Sequence, residues 1–141
     1  MATTARAAFA PTIMVVEDNA AAREMINSVL GAVGYCVTFA SCGKDAIGLL
    51  QGSRPAAVLL DLHLPDMHGV DVLKAIRRDG GLSNLPIIVL TGSGKIDDVA
   101  AATASGANDY MMKPFQPSTL LQKIEKYTGH LARSARSAPA H

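Results

Sequence analysis

Tryptophan is missing from this chain, aromatic residues make up only 4% of it, and its 141 residues include just two cysteines. Each scarcity removes a class of protein. Cys36 and Cys42 form no C-x-x-C pair or other metal spacing, so they read as reduced thiols of a cytoplasmic protein. No basic run interleaved with aromatics marks a nucleic-acid surface. The net charge of +1 gives no bulk attraction to nucleic acid or to a membrane. No apolar stretch approaches the length that crosses a bilayer. There is no phosphate-cradling P-loop and no Cys/His nucleophile pair, and His63 and His68 lack a partner at metal-ligand spacing. Nothing repeats at solenoid length.

What remains is an ordinary globular mixture, 49% hydrophobic and 18% charged, long enough for one domain with one good core. Residues 1–11 carry one charge and no proper apolar segment, which predicts a flexible leader rather than a targeting peptide. Residues 12–128 form the expected domain, and the Ala/Ser/Arg/Pro/His stretch 129–141 is expected to fray.

Glycine, proline and polar punctuation divide the domain into five strand–helix units. Strands are expected at 12–16, 35–40, 57–61, 86–90 and 109–112. Helices are expected at 20–33, 44–51, 70–78 and 96–105, with a fifth from Pro117 through Tyr127. Asn19 and Ser41 are expected to cap the first and second helices, and Gly34 to stop the first. The first, third and fourth strands are continuous apolar runs rather than alternations. Such strands are buried on both faces, which predicts an α/β, doubly wound parallel sheet of five strands with five helices. Right-handed crossovers then bring every strand's C-terminal end to one edge.

That edge collects the chemistry. Glu17-Asp18 ends the run from Ile13, Asp61 ends the run from Ala57, Thr91 ends the run from Ile87, and Lys113 follows Met112. Ligands bind in open α/β sheets outside the carboxyl ends of the strands. Three carboxylates forced together raise one another's pKa unless a cation is bound, and magnesium prefers such hard oxygen ligands. Lys113 can pair with Asp61 and later with a phosphoryl oxygen, and Thr91 can donate its hydroxyl to the same group. Blander readings stand beside these: solvated loop acids, a surface lysine, and a threonine that turns the chain before Gly92-Ser93-Gly94. The fourth helix, rich in Ala, Ser and Thr, suits a flat docking face and close packing on the sheet equally well.

The motifs Val15-Val16-Glu17-Asp18-Asn19, Asp61-Leu62-His63-Leu64-Pro65-Asp66-Met67-His68-Gly69, Thr91-Gly92 and Asp109-Tyr110-Met111-Met112-Lys113-Pro114-Phe115 follow in an order and at a spacing that resemble the receiver domain of two-component response regulators, over roughly 12–128. The resemblance implies a flavodoxin-like strand order 2-1-3-4-5. It implies Asp61 as the phosphoacceptor, served by a histidine kinase or a histidine phosphotransfer protein. Mg2+ (or Mn2+) would be held by Asp18, Asp61 and the backbone carbonyl of His63, with Glu17 acting through metal-bound water. Thr91 and Lys113 would bind the phosphoryl oxygens, Tyr110 would be the switch aromatic, and the Lys113-Pro114 bond would be cis. His63 and Ser93 would flank the path of the water that resets the switch.

The same resemblance implies signalling by docking to a downstream protein target through the fourth helix, fifth strand and fifth helix. Too few residues follow the fifth helix for a DNA-binding or catalytic output domain, so a stand-alone receiver without direct DNA binding is expected. The lack of a long apolar stretch and the two reduced thiols predict no membrane association and a cytoplasmic location. The resemblance also implies a phosphoacceptor signalling domain that assists its own phosphorylation and dephosphorylation rather than an enzyme. Three alternatives stand beside the stand-alone switch. One is a receiver module of a larger hybrid kinase or regulator, and one is a phosphorylation-independent interaction module. The third, a phosphatase of the haloacid dehalogenase type, wants a second acid two residues after the nucleophile, where this chain has His63.

Overall fold

The computed structural model describes residues 11–92 and 96–129. The leader expected at 1–11 therefore lies, apart from Pro11, outside the described residues, as does the tail expected at 129–141 apart from Gly129.

Five strand–helix units run along the chain: β1 Thr12–Val16, α1 Ala20–Ala32, β2 Cys36–Ala40, α2 Gly43–Gly52, β3 Ala57–Asp61, α3 Gly69–Arg78, β4 Ile87–Thr91, α4 Ile96–Ala104, β5 Asp109–Met112 and α5 Pro117–Thr128. A short 3-10 turn, Gly80–Leu82, follows α3. The strands pair in parallel in the order β2-β1-β3-β4-β5. This is the five-stranded, doubly wound sheet that the apolar runs predict.

Those runs bury both faces because successive side chains point to opposite sides. Met14, Val16, Val58, Leu60, Ile87 and Val89 pack with Ala46, Leu50, Val72, Leu73, Ile76 and Ala102 from α2, α3 and α4. Ile13, Val15, Ala57, Leu59, Ile88, Leu90 and Met111 pack on the other side with Ile26, Leu30, Leu120 and Ile124 from α1 and α5. Full burial of a Leu or Ile side chain stabilises by about 1.5–3 kcal/mol. Ala102 is packed into the first cluster, while its neighbours Ala100 and Ala101 are exposed. The small residues of α4 thus serve the sheet through Ala102 and leave Ala100 and Ala101 facing outward.

The boundaries differ from expectation for local reasons. Tyr35 does not begin β2, because its N–H donates back to the Leu30 carbonyl at the end of α1. Gly34, at φ +101°, makes the turn between them. Pro86 lacks an N–H and contributes only its carbonyl, which accepts from Val58. Asn19 caps α1 as expected, accepting from the Ala22 N–H at 2.9 Å. Ser41 does not cap α2. Cys42 holds the N-cap position without a side-chain bond, and the helix is capped from a distant loop by Asp66, whose two oxygens accept from the Gly43 and Lys44 N–H groups at 2.8 and 2.9 Å.

Candidate functional site

The C-terminal ends of β1, β3, β4 and β5 meet at one edge of the sheet, and register decides which residues become neighbours. Asp61 lies beside Leu90, and Thr91 lies beside Met112. The Lys113 N–H donates to the Thr91 carbonyl at 2.8 Å, which extends the β4–β5 ladder by one residue and turns the lysine toward the acids. The Lys113-Pro114 bond is cis.

Glu17, Asp18 and Asp61 converge, each offering a carboxylate oxygen within 4.8 Å of the others. Glu17 is 1% exposed and Asp61 5%, while Asp18 is exposed. The Lys113 ammonium lies 2.5 Å from Glu17 Oε2 and 3.2 Å from Asp61 Oδ2. The shorter of the two bonds goes to Glu17, although Asp61 was the partner expected for Lys113 and Glu17 was expected to act mainly through metal-bound water. Burial, and the nearby negative charge of Asp61, push the Glu17 carboxyl above its ordinary pKa, although the Lys113 hydrogen bond pulls the other way. Burial works against the charged lysine, but the Glu17 bond and the Asp61 charge outweigh it, and the Lys113 pKa ends above its usual value. A fixed cation thus sits among acids that repel one another.

The remaining site residues surround this centre. Asp61 Oδ1 accepts the His63 backbone N–H at 3.0 Å. Thr91 is fully buried at the end of β4. Tyr110 stands two residues before the end of β5, 43% exposed. The His63 ring is mostly exposed, with Nε2 3.6 Å from Asp98 Oδ2 and its plane at an edge to the His68 ring. Ser93, expected to flank the water path, lies outside the described residues.

The loop after Asp61 folds back so tightly that only glycine fits at 69. The Gly69 N–H donates to the Leu62 carbonyl at 2.8 Å, and a Cβ there would lie 2.6 Å from Leu62 Cα. Sequence reasoning missed the residues that brace this loop. Asp66 ties it to α2, and His68 caps α3 by accepting the Val70 N–H on Nδ1 at 3.1 Å. The position of His68 just before the helix was a local signal, but histidine is not a preferred cap type. Asp66 and Asp98 find partners far along the chain, and no spacing rule marks such pairs.

The donor set, three hard carboxylates gathered at one sheet edge with a cation beside them, fits a small divalent ion such as Mg2+. A doubly wound sheet that gathers acids, a lysine and a threonine at its carboxyl edge defines the receiver class of signalling domain. The response regulator receiver domain family matches residues 13–125, and the chain belongs to that family. It is similar to the receiver domain of the sensor histidine kinase PA1611 of Pseudomonas aeruginosa, solved with a magnesium ion coordinated in its active site cleft. The two are 31% identical with a TM-score of 0.80, over 85% of this chain and 98% of that one. The chemotaxis protein CheY4 of Vibrio cholerae is 29% identical with a TM-score of 0.79, over 84% of this chain and 98% of that one. The DNA-binding response regulator MtrA of Mycobacterium tuberculosis is 40% identical over 112 residues, 79% of this chain and 48% of the relative. The chain thus spans about half the length of the curated relatives it matches. Among the described residues, no helix is long and apolar enough to cross a membrane.

Proposed function

We propose that the protein is a phosphorylatable switch whose acceptor is Asp61, charged by a phosphohistidine on a histidine kinase or a histidine phosphotransfer protein. One observation carries this reading. The Asp61 carboxylate is nearly buried, yet it is held on one oxygen by the His63 N–H and on the other by the Lys113 ammonium, beside two further acids.

In the transfer, an Asp61 oxygen attacks phosphorus, the P–N bond of the donor breaks, and its electron pair returns to the imidazole. The product is an acyl phosphate. Asp18 and Asp61 would hold Mg2+ or Mn2+ together with the His63 carbonyl, and Glu17 would act through a metal-bound water. When bound, the ion supplies positive charge to the phosphoryl oxygens. Lys113 neutralises charge on the same group, and Thr91 contributes its hydroxyl. Thr91 and Tyr110 form the switch, which shifts a pre-existing equilibrium between two arrangements.

The output is docking of a protein target on the face of α4, β5 and α5, with no direct DNA contact and no catalytic turnover of a separate substrate. The exposed Tyr110 and Met112 on that face support this. The two free cysteines support a cytoplasmic site of action.

The test is incubation with acetyl phosphate and magnesium, read on a phosphate-affinity gel. A shifted band lost in Asp61→Asn and in a chelator is expected. A band that persists in Asp61→Asn would overturn Asp61 as the acceptor.

A further inference from the structure

Tyr110 leaves a large ring in contact with water, which forgoes the stabilisation that burying an aromatic brings, so its outward rotamer calls for a partner. Lys123 of α5 supplies one, with Nζ 5.9 Å from the ring centroid, inside the range of a cation–π contact. A lysine on a flexible stem is ordinarily a poor anchor. This one is fixed. Its Nζ lies 2.9 Å from Asp109 Oδ1, and the same oxygen accepts Tyr110's own N–H at 2.8 Å. The other Asp109 oxygen lies 3.1 Å from the Tyr127 hydroxyl, which is also 3.0 Å from the Asn108 carbonyl oxygen. The Asp109 side chain is 14% exposed and that of Lys123 27%, so the pair is shielded better than a surface ion pair. Acid, cation and ring thus form a chain that starts on β5, crosses to α5 and returns to the switch residue. Tyr110 in this position also walls a groove with Met112, Phe115 and Thr119.

We propose that Lys123, fixed by Asp109, is a positioning residue that holds Tyr110 outward and so sets how often the unphosphorylated protein visits the inward arrangement. The proposal rests on the reading of Tyr110 as the switch aromatic and adds the element that biases it. An exposed cation–π contact accounts for about a two- to five-fold bias in rotamer population.

The test uses the full chain labelled with fluorotyrosine, unphosphorylated, with the Tyr110 signal assigned by Tyr110→Phe. In Lys123→Met the outward-to-inward ratio read by fluorine NMR should fall about two- to five-fold, and Lys123→Arg should restore it. Asp109→Asn, which leaves the lysine but frees it, should shift the ratio in the same direction, and it carries the test if Lys123→Met does not fold. The initial rate of phosphorylation by acetyl phosphate should rise with the inward population. An unchanged Tyr110 signal in folded Lys123→Met or Asp109→Asn overturns the proposal. A shifted signal with no phosphorylation in any variant, wild type included, upholds the latch and sinks the Asp61 reading instead.

Discussion

Lys113 stands between two carboxylates, one almost wholly buried, and its removal exposes what it does. Lys113→Met keeps most of the stem and deletes the charge. Glu17 and Asp61 then face each other without a cation, and stability measured by urea unfolding should fall by about 1–3 kcal/mol. Added magnesium should return part of that loss if the acids hold the ion. A variant as stable as the wild type in chelator would show that the ammonium is dispensable to the resting site. The residues of this centre were legible because each closes an apolar run, and a parallel sheet sends all such closures to one edge. The Glu17–Lys113 bond was not legible, since two candidate partners at one edge give no sequence signal of which is nearer. The Asp109–Lys123–Tyr127 network was hidden for the same reason, with the added distance between strand and helix.

At the scale of elements, the loop after β3 is fastened at both ends, and the two fastenings answer to different tests. Gly69→Ala drives a Cβ against the Leu62 backbone and should destabilise by about 1–3 kcal/mol. Gly80→Ala, with open space around its Cβ, should be close to neutral in the same denaturation series. Asp66→Ala removes the cap of α2. The amides of Gly43 and Lys44 should then exchange hydrogen faster than in the wild type, while those of α1 should not change.

The Lys44 and Gly43 N–H groups hold the Asp66 carboxyl below its ordinary pKa. Because the folded value lies below the unfolded one, its contribution is complete above the unfolded carboxylate value of about 3.9. It is lost as pH falls through the lower folded value. An acid titration of stability should therefore be shallower in Asp66→Ala over that window, and an unchanged slope would remove Asp66 from the account. Helix caps were readable where cap and helix adjoin, as at Asn19. The cap of α2 comes from 23 residues away, which is why Ser41 looked like the better candidate.

For the whole molecule, the decisive feature is that one sheet serves two cores. The alternation hidden inside each continuous run places Leu59 on one side and Leu60 on the other. Leu59→Ala and Leu60→Ala should each cost about 2–5 kcal/mol. Both should leave a single unfolding transition, with circular dichroism and tyrosine emission coinciding. Separate transitions would mean that the two faces melt independently. The fold was legible at this scale because hydrophobic continuity reports burial on both faces directly. Strand order was supplied by the family resemblance, since the runs do not say which strand lies beside which.

The path of the chain at the far edge of the sheet has a practical side. Pro11 accepts the Cys36 N–H at 2.9 Å, and the neighbouring Tyr35 places its hydroxyl 3.0 Å from Thr128 Oγ1. The start of the first strand and the last turn of the last helix are thus gathered around the same two residues, at the opposite rim from Asp61. A tether to a sensor chip, a bead or a dye attached before Pro11 or after Thr128 would hold the molecule by its base with the acidic cluster at the rim facing solution. Binding of a soluble phosphodonor or target could then be followed on an oriented surface without engineering a new attachment point.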